Sequence, residues 1–127
     1  MCLTSYQLTP TVAEKDITVY KVLTAGNCAP YKGMEYHHGL NYPEQDPPEE
    51  PVVMSGEQLK WVDIDRGYLH AFRTIYHARV LANHMDFRLP ADSKKHQVVK
   101  MRIPAGSKYY EGVFDEIAST ALAWDED

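Results

Sequence analysis

Two adjacent carboxylates, Asp115 and Glu116, could do acid–base chemistry. Paired carboxylates act as general acid and base when both side chains face one site. Neighbouring residues in extended chain point in opposite directions, however. Glu116 is therefore a candidate catalytic residue. A solvated turn before the last strand explains the two carboxylates equally well and is the alternative interpretation.

The histidines do not form a recognisable metal-binding pattern. His70, His77 and His84 recur every seven residues and would share a face if all three lay on one helix. His70 falls in a predicted strand instead, and no cysteine or carboxylate completes a ligand set. His37 and His38 are neighbours that face opposite ways in a strand. We therefore predict no metal site.

Tyrosine is unusually frequent, with nine residues in the chain. Its flat ring and terminal hydroxyl suit nucleotide bases, nicotinamide rings and protein interfaces alike. Basic residues are expected nearby, which favours a cleft for an anionic nucleotide. The alternative is a small core filled with half-buried rings. The residues concerned are Tyr31, Tyr36, Tyr42, Tyr68, Tyr109 and Tyr110, with Lys21, Lys32, Arg73, Arg102 and Lys108.

Hydrophobic periodicity predicts the elements that would position these residues. Alternation predicts strands, and apolar residues along one side predict a helix that begins after an N-cap at Thr74. A mixed order of strands and one main helix indicates an α+β fold with a mixed or antiparallel sheet. The predicted strands are 16–23, 67–72 and 97–104, with a short strand or hairpin in 31–42 and a strand or extended turn at 107–112. The helix is 75–85, and 118–124 is a last strand or short helix.

The segment from Pro43 to Pro51 holds four prolines and four acidic residues in nine positions. Such a composition builds no core, so we predict a surface loop over about residues 43–57. A solvated loop is the favoured interpretation, and a lid or partner-docking segment is the alternative. We expect residues 1–127 to form a single domain.

Charge and composition exclude several classes of protein. The net charge of −5 argues against general nucleic-acid binding. No apolar run is long enough to cross a membrane, and the first residues do not resemble a secretory signal. We therefore expect a cytoplasmic protein whose Cys2 and Cys28 are thiols, with a Cys2–Cys28 disulfide as the less favoured alternative. The oligomeric state is left open.

The stretch from Val98 to Gly112, the opening Met1-Cys2-Leu3 and the stretch from Asp16 to Leu23 resemble a family of small proteins from gut Bacteroidales and their phages. The resemblance covers most of the chain and implies no established activity. A phage setting implies sequestration of a nucleotide signal or inhibition of a bacterial defence protein.

A more distant similarity is to the ADP-ribosyltransferase fold. Tyr20-Lys21 stands at that fold's first motif, and Gly67 to Thr74, followed by the helix, at its second. Ile103-Pro104-Ala105-Gly106 stands at the third motif, and Asp115 to Leu122 lies near the fourth. The similarity implies a nucleotide site that includes Tyr20, Lys21, His70, Phe72, Arg73, Tyr109 and Tyr110.

The catalytic motifs of that fold are degenerate here. Lys21 lacks the planar fork of the arginine that such enzymes use, and His70-Ala71-Phe72 replaces a hydroxyl-rich triplet. Ser119 or Thr120 stands where the catalytic glutamate is expected, although Glu116 is close by.

These substitutions favour a non-catalytic binding protein without a cofactor, whose partner is a nucleotide-type molecule or a bacterial host protein. One alternative is an NAD-dependent transferase or glycohydrolase with Glu116 as its carboxylate and Lys21 or His70 as nucleotide contacts. The other is an interaction module that acts through the acidic loop at 44–50.

Overall fold

Strands account for most of the regular structure. The computed structural model describes residues 3–30, 33–47, 53–55, 60–64 and 67–125. The elements in this part of the chain are β1 (Leu3–Ser5), β2 (Thr11–Val12), β3 (Ile17–Leu23), β4 (Gly39–Asn41), β5 (Val53–Ser55), β6 (Lys60–Ile64), β7 (Leu69–Phe72), α1 (Ile75–Asp86), β8 (Gln97–Ile103), β9 (Lys108–Glu111), β10 (Glu116–Ser119) and β11 (Leu122–Trp124).

The strands form two sheets in which every observed pairing is antiparallel. The larger sheet has the order β2-β9-β10-β7-β3-β8-β11-β4, and the smaller one has the order β1-β6-β5. The predicted α+β fold with one main helix is confirmed, and the pairings among the described strands are antiparallel.

The centre of the large sheet is the pair β3–β8. The two strands pair along seven positions, from Ile17 opposite Ile103 to Leu23 opposite Gln97. Side chains alternate between the faces of a strand, so Val19, Lys21 and Leu23 point to one face, where all three are buried. Both strands lie within one residue of their predicted bounds.

Helix α1 covers the other face of β3 and β7. Ala78 and Ala82 pack against Val22 and Phe72, where their small side chains let the helix approach the sheet closely. Thr74 is the predicted N-cap, and its hydroxyl accepts a hydrogen bond from the His77 backbone N–H at 3.5 Å.

The polar connection after α1 is held to the end of the helix. The Asp86 carboxylate accepts a hydrogen bond from the His96 backbone N–H at 2.7 Å and lies 2.8 Å from the Nδ1 of that histidine. These contacts, led by the bond from the backbone N–H, lower the pKa of the Asp86 carboxyl.

The small sheet packs on β9 and β10, on the same face of the large sheet as α1. Leu3, Val62 and Ile64 form a core there with Tyr110 and Ala118.

The opposite face of the large sheet carries the largest core. Its members include Val19, Leu23, Tyr36, Leu69, Ala71, Met101, Ile103, Ile117 and Leu122.

Part of the segment predicted as an acidic loop, about residues 43–57, is a strand. Val53–Ser55 forms strand β5, which is exposed along its length and is held by pairing with β6. Residues 48–52 and 56–59 lie outside the described part of the chain, as do Cys2, Tyr31 and Lys32.

Cys28 is a free thiol. Among the described residues, no helix is long and apolar enough to cross a membrane.

Candidate functional site

The large sheet opens between β3 and β7. The two strands pair at a single position, Tyr20 opposite Phe72, although β3 has seven residues and β7 has four. Beyond that pair the strands separate toward Leu23 and Leu69. Lys21 reaches across the opening, and its ammonium donates a hydrogen bond to the His70 carbonyl at 2.5 Å.

An apolar cavity of about 70 Å³ lies at this opening, which we call the sheet slot. On the scale where one water needs about 10–15 Å³, this volume holds several waters or a single six-membered ring. Rings of Tyr36, Tyr68 and Phe72 line it, together with the aliphatic side chains of Met34 and Leu81. Flat apolar walls of this kind suit a planar ligand.

Lys21 places a positive charge inside the sheet slot. Its side chain is 9% exposed, and its Nζ lies 5.3 Å from the centre of the Tyr36 ring, within the range of a cation–π contact. An ammonium that has lost its water is costly unless it meets polar or aromatic partners. Burial also raises the pKa of the Tyr36 hydroxyl, so that hydroxyl stays protonated. The Tyr36 hydroxyl therefore adds no negative charge beside Lys21.

A second concavity, which we call the polar groove, lies at the amino-terminal end of α1. It is an open groove of about 440 Å³ lined by Arg73, Thr74, Glu111, Gly112, Asp115 and Glu116. Arg73 forms an ion pair with Glu111. The Asp115 carboxylate lies 3.1 Å from the His77 Nδ1. Burial raises the pKa of the Glu116 carboxyl.

The pairing register separates the residues predicted to act together. Tyr20, Phe72 and Glu116 are direct partners across β3, β7 and β10, and direct partners share a face of the sheet. Lys21 follows Tyr20 and therefore points to the opposite face. Glu116 and Lys21 thus lie on opposite faces, whereas His70 lies on the same face as Phe72 and Glu116.

The tyrosine-rich set divides between the two interpretations that the sequence allowed. Tyr36 and Tyr68 line the slot, and Tyr42 is exposed. Tyr110 is 1% exposed in the core under the small sheet, and Tyr109 packs against the core of the opposite face. Neither Tyr109 nor Tyr110 lines the sheet slot.

The residues at the expected glutamate position are engaged locally. Ser119 is fully buried and its hydroxyl donates to the Ala121 carbonyl at 2.7 Å. The Thr120 hydroxyl accepts from the Lys108 backbone N–H at 3.2 Å. In the described part of the chain, no three His, Cys, Asp or Glu side chains are grouped to hold a metal ion.

Sequence reasoning missed some of the residues that line the sheet slot. Met34 and Leu81 line it from a loop and from α1, and neither has a chemical signature in the sequence. Tyr36 was one of many tyrosines with no signal to separate it from the others. The sequence signal for this site is Lys21. It is a lysine on the same face of β3 as buried Val19 and Leu23, where an apolar residue is expected.

No family model, no curated protein and no solved structure matches this chain. The candidate sites therefore rest on their geometry.

Replacement of Glu116 by glutamine should raise stability at high pH. The raised pKa of Glu116 means that the folded protein keeps this proton to a higher pH than the unfolded chain does. The free energy of unfolding then falls as the pH rises from the ordinary glutamate pKa to the folded pKa. We expect Glu116→Gln to raise Tm above that window and to leave it unchanged at acid pH, in thermal melts across a pH series.

The matched control for this prediction is Glu14→Gln, because Glu14 is exposed. Its Tm difference from wild type should be small at every pH. A gain for Glu116→Gln that is the same at acid and alkaline pH would show that the charge of Glu116 is not its cause.

Proposed function

We propose that this protein binds, without turning it over, a small molecule that joins a flat ring to an anionic group, as nucleotides do. The observation that carries the proposal is the Lys21 ammonium, buried in an opening of the sheet whose walls are aromatic. The ring enters the slot and the anionic group lies near Lys21. The volume of the slot fits one ring, so the remainder of a nucleotide lies at the mouth.

The distribution of charged groups supports binding rather than catalysis. The described lining of the slot contains no carboxylate. Glu111, Asp115 and Glu116 line the polar groove instead, which shares no lining residue with the slot. Among the described lining residues, a ligand in the slot would therefore meet a lysine side chain and apolar rings, which favour binding, and no carboxylate that could act as base or nucleophile.

The resemblance to ADP-ribosyltransferases supports the nucleotide class. The four segments that carry it belong to adjacent strands in the order β10-β7-β3-β8, and α1 directly follows β7. We propose an architecture of that type whose catalytic motifs have been lost. With the resemblance to phage proteins, we further propose that the ligand is a nucleotide signal that the protein sequesters, with inhibition of a bacterial defence protein as the alternative.

The test is calorimetric titration with NAD, ADP-ribose and cyclic di- and trinucleotides. We expect one of these ligands to bind wild type, and Lys21→Met to weaken that binding by about tenfold or more, because methionine keeps the length of the side chain and removes its charge. Lys100→Met is the matched control, since Lys100 is exposed on the neighbouring strand β8.

Two outcomes would contradict the proposal. The first is the absence of binding heat with every nucleotide in the series. The second is equal loss of affinity in Lys21→Met and Lys100→Met, which would indicate nonspecific attraction between charges.

A second candidate function is hydrolysis or transfer at an NAD glycosidic bond in the polar groove. It is favoured by Glu116, a half-buried carboxyl with a raised pKa in the same groove as Arg73. A carboxylate of this kind can stabilise the positive charge that develops on the sugar. NAD turnover that is lost in Glu116→Gln and kept in Glu14→Gln would support this function, and no turnover by wild type would exclude it.

A further inference from the structure

The sheet slot is lined from both faces of the large sheet. Met34 and Tyr36 pack with the largest core, on the face away from α1. Leu81 and Phe72 pack under α1, on the opposite face. All four side chains line the slot. A ring in the slot therefore lies between the separated strands β3 and β7, with Met34 toward one face and Leu81 toward the other.

The wall that Leu81 forms is held in place by its own helix. Ala78 and Ala82, which lie on either side of Leu81 in the sequence, are buried and pack against Val22 and Phe72. An outward movement of α1 would expose these apolar contacts to water, which is unfavourable. A wall on a packed helix also keeps its geometry better than a wall on a loop. The α1 side of the slot is therefore a fixed limit on the size of a ligand.

The volume of the slot limits the number of rings that it can hold. At about 70 Å³ the slot holds a single six-membered ring. A purine base has a second ring fused to the first, and that ring would overlap with the slot walls or stay at the mouth in contact with water. Either position loses apolar contact, so a base with one ring fits better.

We propose that the sheet slot selects nucleotides with a pyrimidine base over nucleotides with a purine base, and that Leu81 sets this limit. The inference rests on the proposed function, because it names the class of ring in the ligand proposed there. Alanine in place of Leu81 would remove the terminal carbon atoms of the leucine, which occupy about the space of the ring that a purine adds. Space gained or lost at an apolar wall changes discrimination between similar ligands by about tenfold or more.

Calorimetric titration of the full chain with four nucleotides tests the proposal. The probes are the 5′-monophosphates of uridine, cytidine, adenosine and guanosine, which share the ribose and the phosphate and differ in the ring. We expect wild type to bind at least one pyrimidine nucleotide about tenfold more tightly than either purine nucleotide. Leu81→Ala should reduce this preference by about tenfold or reverse it, because the purine nucleotides then bind more tightly.

Val80→Ala is the matched control. Val80 precedes Leu81 on α1, is 50% exposed and is not among the described residues that line the slot, so this variant should keep the preference of wild type. Equal affinity of wild type for pyrimidine and purine nucleotides would overturn the inference and leave the proposed function standing, and this result requires no variant. An unchanged preference in Leu81→Ala would overturn the role of Leu81. Absence of binding heat with these four nucleotides and with those of the first titration would overturn both proposals.

Discussion

Gly67→Ala is expected to lower the free energy of unfolding by about 2 to 5 kcal/mol. Gly67 has a φ of +84°, a region that side chains with a Cβ rarely adopt. A Cβ at this position would also lie 2.2 Å from the Pro47 Cα and 2.8 Å from the Asp46 carbonyl carbon. Both neighbours are backbone atoms, so a side-chain rotation cannot relieve the overlap. Urea denaturation of the variant and of wild type measures the difference.

Gly106→Ala separates the two contributions. Gly106 has a similar φ of +91°, and a Cβ there would meet nothing within 4 Å. This variant should lose only the backbone contribution, about 1–2 kcal/mol. The effect of the substitution on the unfolded chain is similar in both variants, so their difference measures the contact with Pro47. Equal losses would mean that the segment at Asp46 and Pro47 moves aside without cost.

This contact connects the acidic segment to the candidate site. Pro47 rests on Gly67, and the next residue, Tyr68, lines the sheet slot. The sequence predicted a solvated loop at Pro43–Pro51 on composition alone. Composition carries no information about which residue a loop crosses, because that contact joins positions twenty residues apart.

Local pattern was sufficient for the elements with strong periodicity. β3 and β8 have seven alternating residues each, and α1 has an N-cap and a buried stripe; these signals depend on residues close in sequence. Weak local signals explain the missed strands. Val53–Ser55 is exposed at all three residues and becomes a strand because β6 pairs with it. A long-range pairing of this kind leaves no pattern in the local sequence.

The site depended on register, which the sequence does not show. A shift of one residue moves every side chain of a strand to the other face. Tyr20 pairs with Phe72, and Phe72 pairs with Glu116, so Glu116 shares a face with Tyr20 rather than with Lys21. The sheet slot has the same origin, because β3 and β7 separate after one pair. Residue types identified Lys21 and Glu116 as candidates, and long-range pairing decided that they belong to different concavities.

Ile117→Ala should be among the most damaging substitutions in the chain, with a loss of about 2 to 5 kcal/mol. Ile117 is fully buried in the largest core and lies on β10 opposite Ala71 of β7 and Glu111 of β9. Strands on both sides fix its backbone, so the surrounding residues cannot collapse into the space that the side chain leaves. We expect the midpoint of thermal unfolding to fall by about 10 °C or more.

A series of substitutions tests whether the cause is the cavity. Ile117→Val removes one methyl group and should cost about 0.5–1.5 kcal/mol. Ile75→Ala makes the same chemical change as Ile117→Ala at the start of α1, where the side chain is 37% exposed and the loss should be much smaller. Similar losses for Ile75→Ala and Ile117→Ala would contradict the packing described for β10. Ile117 pairs with Ala71 of β7, and Ala71 lines the sheet slot. Ile117→Ala should therefore also weaken ligand binding, whereas Ile75→Ala should leave ligand binding unchanged.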